Sequence, residues 1–196
     1  MGKDKGHIDT ELLDRAIGFA VRAHSGIERR GKGFPYIVHP LEAVAIVATI
    51  TPDQELLAAA ALHDVVEDTP FTSDDIRAAF GDRIAGIVDK ETDVEVAEQD
   101  ESLSWHFRKQ KAIEKLAAAP LDVKIVAIGD KLSNMRAIAR DYEKVGDSLW
   151  NLFHVKERSE HEWHYRGLAD SLRELSDTDA FKEFESLIDM VFGKNE

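Results

Sequence analysis

Apolar positions along the chain recur at steps of three and four residues, the spacing of one face of an α-helix. The first such face has these members: Leu12, Leu13, Ala16, Ile17, Ala20, Val21 and His24. The same spacing, or an apolar run between helix-breaking residues, predicts helices over 40–48, 53–68, 73–80, 84–94, 105–119, 121–140, 147–161, 163–175 and 180–192. The alternation between hairpin turns that is typical of strands does not occur. The pattern therefore predicts an all-α fold, a compact bundle of several helices.

The composition is that of an ordinary globular chain, but the charge is strongly negative. With 196 residues and 43% hydrophobic positions, we expect a single domain over residues 1–196. A formal net charge of -13 argues against a general nucleic-acid binder and against a protein held on anionic lipid, because both need a basic face. Apolar runs stay shorter than the roughly 20 residues of a bilayer span. The charged start of the sequence is followed by no apolar signal core, so we expect a cytoplasmic protein.

A histidine and an aspartate stand side by side in an apolar helical segment. His63 and Asp64 follow four alanines and a leucine, and Glu67 and Asp68 come one helical turn later. Because burying an unpaired charge is costly, a structural His–Asp hydrogen bond is one interpretation. Three carboxylates this close to one imidazole would repel each other unless a cation or a substrate proton lay among them. A metal or catalytic site is the other interpretation.

Two further polar residues stand in similar settings. His39 precedes Pro40 at the start of a predicted helix, where a surface or capping role is the simpler explanation. Asp130 is the first charge after an apolar helical run, so it needs either a pairing partner or a ligand. Gly129 beside it would let a ligand or another helix approach closely. Asn134 lies one turn after Asp130 on the same face and offers a donor and an acceptor.

Two imidazoles and two carboxylates together form a mixed nitrogen and oxygen ligand set: His39, His63, Asp64 and Asp130. Such a set suits Mn²⁺, Fe²⁺ or Zn²⁺, and the absence of cysteine excludes thiolate sites and a cysteine nucleophile. Four protein ligands leave positions of an octahedral ion open to water and a substrate oxygen. A metal of this kind lowers the pKa of its water and polarises a phosphoryl oxygen. The set therefore favours metal-assisted hydrolysis.

The order of these residues, a histidine, a His-Asp doublet and a distant aspartate, resembles the HD superfamily of metal-dependent phosphohydrolases. Three longer segments are similar to the hydrolase domain of RelA/SpoT-type alarmone enzymes: PYIVHP at 35–40, HDVVEDT at 63–69 and GDKLSNMR at 129–136. The resemblance covers about residues 10–175, and we expect the chain to stop where a synthetase domain would begin. It therefore resembles the small stand-alone alarmone hydrolases.

This resemblance implies a helical bundle of the HD-domain type, one Mn²⁺ ion (with other divalent metals as alternatives) and removal of pyrophosphate from the 3′ position of (p)ppGpp, which leaves GDP or GTP. The residues that it assigns to the metal are His39, His63, Asp64 and Asp130. Its acidic pair, which positions and activates the attacking water, corresponds to Glu67 and Asp68, and we prefer Glu67 as the general base. The positions that it implies for nucleotide contacts are Arg29, Arg30, Lys32 and Asn134.

Departures from the family leave the substrate open. The loop over 26–35 is one residue longer than usual, and Gly129 and Ser133 replace the usual Ala and the usual His or Tyr. The alternatives are an HD phosphohydrolase of another nucleotide (ppApp, the 2′-phosphate of NADPH or a nucleoside monophosphate) and a non-catalytic alarmone-binding module. Residues 22–32 carry four basic side chains against one acid, so we expect a phosphorylated small molecule as the ligand. The oligomeric state is left open.

Overall fold

The computed structural model describes residues 9–92 and 101–194, with the side chains of 101–104 excepted. The α-helices of these residues are α1 (Glu11–Ala23), α2 (Val38–Val47), α3 (Gln54–Leu62), α4 (Val65–Asp68), α5 (Ser73–Phe80), α6 (Asp82–Glu91), α7 (Glu101–Ala117), α8 (Leu121–Val145), α9 (Arg158–Ser171) and α10 (Asp179–Phe192). Two 3-10 helices, Gly146–Leu152 and Arg173–Leu175, flank α9. Within these ranges there is no β-strand beyond one isolated bridge, so the predicted all-α fold is confirmed.

The predicted helix over 53–68 is broken into α3 and α4 at the His63–Asp64 doublet. The Nδ1 atom of His63 bonds to the carbonyl oxygen of Ala60 at 2.8 Å. In a continuous helix that oxygen would accept from the backbone N–H of Asp64. A side chain that takes the carbonyl away from the ladder therefore ends α3, and the doublet lies at a helix junction rather than within a helix.

The long helix α8 packs against α2, α3, α6 and α10. At Gly129, an added Cβ would lie 2.9 Å from the carbonyl oxygen of Ala43 and 2.9 Å from Cγ2 of Val47, both on α2. The sequence left open whether a ligand or another helix approaches this glycine, and the structure shows that a helix does. The close packing of α2 on α8 brings His39 of α2 beside Asp130 of α8.

Two clusters of buried apolar side chains stabilise the bundle. The first joins α8, α9 and α10, and its fully buried members include Ile128, Leu132, Met135, Leu168, Leu172, Phe181, Phe184 and Ile188. The second joins α3, α5 and α6 to α1 and the start of α8, and its members include Leu62, Val65, Ile76, Ile84, Val88 and Val126. Each such large side chain contributes about 1.5–3 kcal/mol when buried. Because α8 belongs to both clusters, its polar residues have fixed positions between them.

The C-terminal third differs from its sequence prediction. Helix α8 continues to Val145, beyond the predicted end at residue 140. In place of predicted helices over 147–161 and 163–175, the chain forms the 3-10 helix at Gly146–Leu152 and then α9.

Among the residues that the structure describes, no helix is both long and apolar enough to cross a lipid bilayer.

Candidate metal centre

His39 and His63 bring the Nε2 atoms of their imidazoles to 3.4 Å from each other, and both side chains are buried. His63 caps the C-terminal end of α3, and its Nδ1 bonds to the carbonyl of Ala60. Since a carbonyl oxygen only accepts, Nδ1 of His63 carries a proton. The Nε2 atom of that ring is then left to bind a second proton or a metal ion.

A side chain fixes the ring of His39 in the same way. Helix α2 begins at Val38, earlier than predicted, so His39 lies in its first turn. The Oγ atom of Ser133 lies 2.8 Å from Nδ1 of His39 and donates its proton to Oε2 of Glu42 at 2.7 Å. A hydroxyl whose only proton is committed can accept but not donate, so Nδ1 of His39 is the donor. The Nε2 atom of His39 is therefore also free to bind a cation.

Two carboxylates complete the cluster. Oδ1 of Asp130 lies 3.1 Å from Nε2 of His39 and 3.8 Å from Nε2 of His63. These three ligand atoms all lie within 4.8 Å of one another. Asp64 lies outside that group of three, but its Oδ2 is 3.0 Å from Nε2 of His63 and 3.4 Å from Nε2 of His39. Four lone-pair donors that converge in a buried space need positive charge, and this nitrogen and oxygen set fits a divalent metal ion.

The pKa values of the cluster show the same demand for positive charge. Burial opposes the charged form of His63, but attraction to Asp64 and Asp130 raises its pKa well above the usual value. Burial also opposes ionisation of Asp64, and attraction to His63 outweighs it and lowers the pKa to about 2. The pKa of Asp130 falls well below its usual range, against the effect of burial, mainly because of Lys131. Without a metal, a proton on His63 neutralises part of the cluster, and a metal ion would replace it.

Tyr36 also holds Asp64, through the same carboxylate oxygen that contacts both imidazoles. Its hydroxyl donates to Oδ2 of Asp64 at 2.8 Å. Burial, followed by the charges of Asp64 and Asp68, raises the pKa of Tyr36 above its usual value, so the phenol remains a donor. The ring of Tyr36 stacks on His24 at 5.1 Å, and the guanidinium of Arg29 lies 5.4 Å from the ring centroid on Tyr36.

The predicted acidic pair lies on α4, directly after the His-Asp doublet. Glu67 is exposed and lines the cavity that contains the cluster. Asp68 is also exposed, and it acts on the Tyr36 hydroxyl rather than lining this cavity. The two carboxylates, which the sequence did not separate, therefore have different positions.

Two of the predicted nucleotide-binding residues, Arg29 and Asn134, are linked to Asp130 by hydrogen bonds. Arg29 donates from Nη2 to Oδ1 of Asn134 at 2.6 Å, and the amide nitrogen of Asn134 donates to Asp130. Both ends of the Asn134 amide are thus engaged within the protein. Lys32 forms an ion pair with Asp141, and the exposed Arg30 lines the adjoining cavity without contacting the cluster.

The cavity around the cluster has a volume of about 340 Å³ and continues into a second cavity of about 610 Å³. Apolar and aromatic side chains line the region that they share: Tyr36, Trp105, Ile138, Phe153, His161 and Tyr165. The sequence prediction missed Trp105 and Phe153, since aromatic residues at helical spacing are more often core residues. Trp150 does not line this region and is buried in the apolar cluster of α8, α9 and α10, 3% exposed.

The sequence prediction also missed Glu91, which lies in an acidic segment over 89–101 near the end of the predicted helix over 84–94. Within that segment, Glu91 ends α6 with its side chain 5% exposed and lines the cluster cavity. Its carboxylate lies 3.9 Å from Nζ of Lys131, which also donates to Asp130. Burial raises the pKa of Glu91 to about 7, against the opposing attraction of Lys131. No spacing signal in the sequence marks this residue, and residues 93–100 of the segment lie outside the described residues.

The arrangement of these residues matches a known family. A model of the HD domain matches residues 16–154, which include both histidines and both aspartates of the cluster. The chain belongs to the HD domain family. The expected resemblance to this superfamily is therefore confirmed.

The chain is also similar to individual proteins and solved structures. A guanosine-3′,5′-bis(diphosphate) 3′-pyrophosphohydrolase of Haemophilus influenzae is 36% identical over 121 residues, which are 59% of this chain and 17% of that protein. A solved structure from Listeria monocytogenes EGD-e superposes with a TM-score of 0.69 at 30% identity, over 80% of this chain and 99% of that one. A metazoan ortholog of SpoT that hydrolyzes ppGpp superposes with a TM-score of 0.75 at 24% identity, over 96% of this chain and 99% of that one. The chain spans about one-sixth of the length of curated relatives such as the Haemophilus protein.

Proposed function

We propose that this HD domain is a Mn²⁺-dependent hydrolase that removes pyrophosphate from the 3′ position of (p)ppGpp. The observation that carries the proposal is the convergence of the His39 and His63 Nε2 atoms with two aspartates inside a cavity that has an aromatic extension. The curated relative from Haemophilus is named for this reaction, and the metazoan neighbour hydrolyzes ppGpp. The products are GDP or GTP and pyrophosphate.

The residues proposed to hold the metal are His39, His63, Asp64 and Asp130. A divalent ion at this position supplies a Lewis acid for a phosphoryl oxygen and promotes ionisation of water. The set of two imidazoles and two carboxylates, without thiolates, is compatible with Mn²⁺. Tyr36 keeps Asp64 in place by donating to the same carboxylate oxygen that contacts both imidazoles.

Glu67 is proposed as the general base that accepts the proton of the attacking water. Its position on the cavity wall, where Asp68 does not lie, supports this choice. The water oxygen forms a bond to the phosphorus attached to the ribose 3′ oxygen, and the bond between that phosphorus and the 3′ oxygen breaks. Glu67 then passes this proton to the 3′ oxygen, which leaves as the ribose hydroxyl of GDP or GTP, and the two phosphates are released as pyrophosphate.

Cationic side chains around the cavity are proposed to stabilise the phosphate charges of the substrate. Lys109 and Lys131 line the cavity near the cluster, whereas Arg29, Arg30 and Lys32 line its extension. Fixed cations in a partly enclosed site stabilise developing negative charge more strongly than they would in water. Asn134, held between Arg29 and Asp130, would join the nucleotide side of the site to the metal side.

A substrate screen tests this proposal. Purified protein with Mn²⁺ is incubated separately with ppGpp, ppApp, NADPH and a nucleoside monophosphate, and the products are separated by ion-exchange chromatography. We expect pyrophosphate and GDP from ppGpp. His63→Ala should abolish this release, whereas His106→Ala should not, since His106 is half-exposed and pairs with Glu160 outside the cavity. Activity on only one of the other compounds would replace the proposed substrate, and no activity on any of them would refute the enzymatic role.

A further inference from the structure

A hydrogen-bonded chain runs from the His39 imidazole away from the metal cluster. Nδ1 of His39 donates to Oγ of Ser133, and that hydroxyl donates to Oε2 of Glu42. Ser133 is 2% exposed, so neither of its bonds is exchanged for water at the surface. Because a carboxylate cannot donate, the direction of both hydrogen bonds is fixed: the serine hydroxyl donates to the carboxylate and accepts from the imidazole.

The carboxylate at the end of this chain is itself held. Oε1 of Glu42 accepts from Nη1 of Arg136 at 3.2 Å. Arg136 is fixed in turn by two bonds of 2.7 Å to both carboxylate oxygens of Glu183 on α10. Glu183 lies beyond residues 16–154, the segment that matches the HD domain model. The His39 ring is thus oriented by a network that extends into the C-terminal helix.

The two imidazoles of the cluster differ in this respect. His63 is oriented by the backbone carbonyl of residue 60, which is present whatever residue type stands at that position. His39 is oriented by side chains alone, so substitution can change its tautomer. If Ser133 lost Glu42 as its acceptor, its proton could turn toward Nδ1 of His39. That ring would then carry its proton on Nε2, where the metal binds.

We propose that Ser133 is a positioning residue that couples Glu42 to His39 and holds this imidazole in the tautomer that binds the metal. This inference rests on the proposed metal site. Outer partners of metal-bound histidines typically affect metal affinity by about 10–100-fold when they are removed. The effect lies in the affinity for the ion itself, so it can be measured without any substrate.

Isothermal titration of metal-free protein with Mn²⁺ tests the inference. We expect Ser133→Ala and Glu42→Ala each to weaken Mn²⁺ binding by about 10–100-fold. Ser133→Thr, which keeps the hydroxyl, should restore most of the affinity, an outcome that a packing role alone does not explain. Ser171→Ala is the matched control, because Ser171 is also buried but bonds only to the carbonyls of Ile113 and Gly167. Its affinity should equal that of the wild type.

The outcomes separate the inference from the function on which it rests. Wild-type affinity in folded Ser133→Ala would overturn the role of the serine, and wild-type affinity in folded Glu42→Ala would overturn its coupling to the carboxylate. In both cases the proposed metal site would stand. If the wild-type protein bound no Mn²⁺, Co²⁺ or Zn²⁺, the metal site and the positioning role would both be overturned. Circular dichroism of each metal-free variant establishes that it is folded before titration.

Discussion

The Nε2 atoms of His39 and His63 lie 3.4 Å apart, although each ring has its Nδ1 proton committed to another acceptor. Two imidazoles in this state present lone pairs to each other, which is favourable only when a cation lies between them. In the metal-free protein that cation is a proton on His63, and the neighbouring aspartates raise its pKa. The same arrangement is therefore suited to exchange a proton for a metal ion.

The first prediction concerns metal-dependent stability. Mn²⁺ at about 100 times its dissociation constant should stabilise the wild-type protein by about 2.7 kcal/mol. Asp130→Asn keeps the size of the side chain but removes a charge from the cluster, so most of this stabilisation should disappear. Thermal unfolding with and without Mn²⁺ measures it. Asp122→Asn, on the same helix but outside the cluster, is the control, and equal stabilisation of the two variants would contradict the prediction.

The second prediction concerns the pH dependence of the metal-free protein. The folded-state pKa of Glu91 is about 7, above the usual value of 4.5, so the folded protein binds this proton more tightly than the unfolded chain. The resulting stability is complete below the unfolded pKa and is lost as the pH rises through about 7. Glu91→Gln stays neutral, so its free energy of unfolding relative to wild type should rise by on the order of 2 kcal/mol between about pH 5 and pH 8.

Urea unfolding of both proteins at the two pH values measures this difference. Glu11→Gln serves as the control, because Glu11 is exposed in the first turn of α1 and its replacement should shift stability equally at both pH values. A Glu91→Gln protein whose stability relative to wild type does not change with pH would show that the buried carboxyl is ionised throughout.

The third prediction concerns the packing of α2 on α8. In Gly129→Ala the new methyl would lie 2.9 Å from the carbonyl oxygen of Ala43, so the helices must separate. We expect a loss of about 1–3 kcal/mol in unfolding free energy and weaker Mn²⁺ binding, since His39 and Asp130 move apart. Gly86→Ala in α6 meets no atom within 4 Å and should be neutral or stabilising by up to about 1 kcal/mol. Equal effects of the two substitutions would refute the role of the close approach.

The fourth prediction concerns the aromatic extension of the cavity. Phe153 lines the region shared by the two cavities, whereas Phe107 is exposed outside both. Loss of an aromatic contact with a nucleobase costs about 1–3 kcal/mol. Phe153→Ala should therefore raise KM for ppGpp by about tenfold, with a smaller change in kcat. Phe107→Ala should leave both constants unchanged. A KM of wild-type size in Phe153→Ala would show that the base binds elsewhere.

The sequence was most informative where chemistry depends on residue order. The helical periodicity predicted the all-α fold. The ligand chemistry of His39, the His63–Asp64 doublet and Asp130, and the resemblance of their order to the HD superfamily, predicted a cluster, and the structure places these residues at hydrogen-bond distances. The helix break at His63 was not predicted, because it depends on a side-chain bond to the Ala60 carbonyl that competes with the regular ladder.

Residues that reach the site only through tertiary packing were not predictable. Glu91 ends a helix in an acidic stretch and looks like a surface residue, but packing near Lys131 buries it. Trp105 and Phe153 come from distant segments and line one cavity because the chain brings α7 and the segment after α8 together. Asn134 was predicted from its position one turn after Asp130, but its bond to Arg29, 105 residues away in sequence, has no local signal.

Mn²⁺-dependent hydrolysis of ppGpp is tested by a titration of metal-free protein with Mn²⁺, in which ion binding and pyrophosphate release from ppGpp are followed in parallel. We expect that one Mn²⁺ binds per chain, that the rate of pyrophosphate release saturates with that binding, and that Asp130→Asn loses both. Full pyrophosphate release in excess chelator would rule out the metal dependence, and saturated Mn²⁺ binding without any release from ppGpp would rule out the hydrolase.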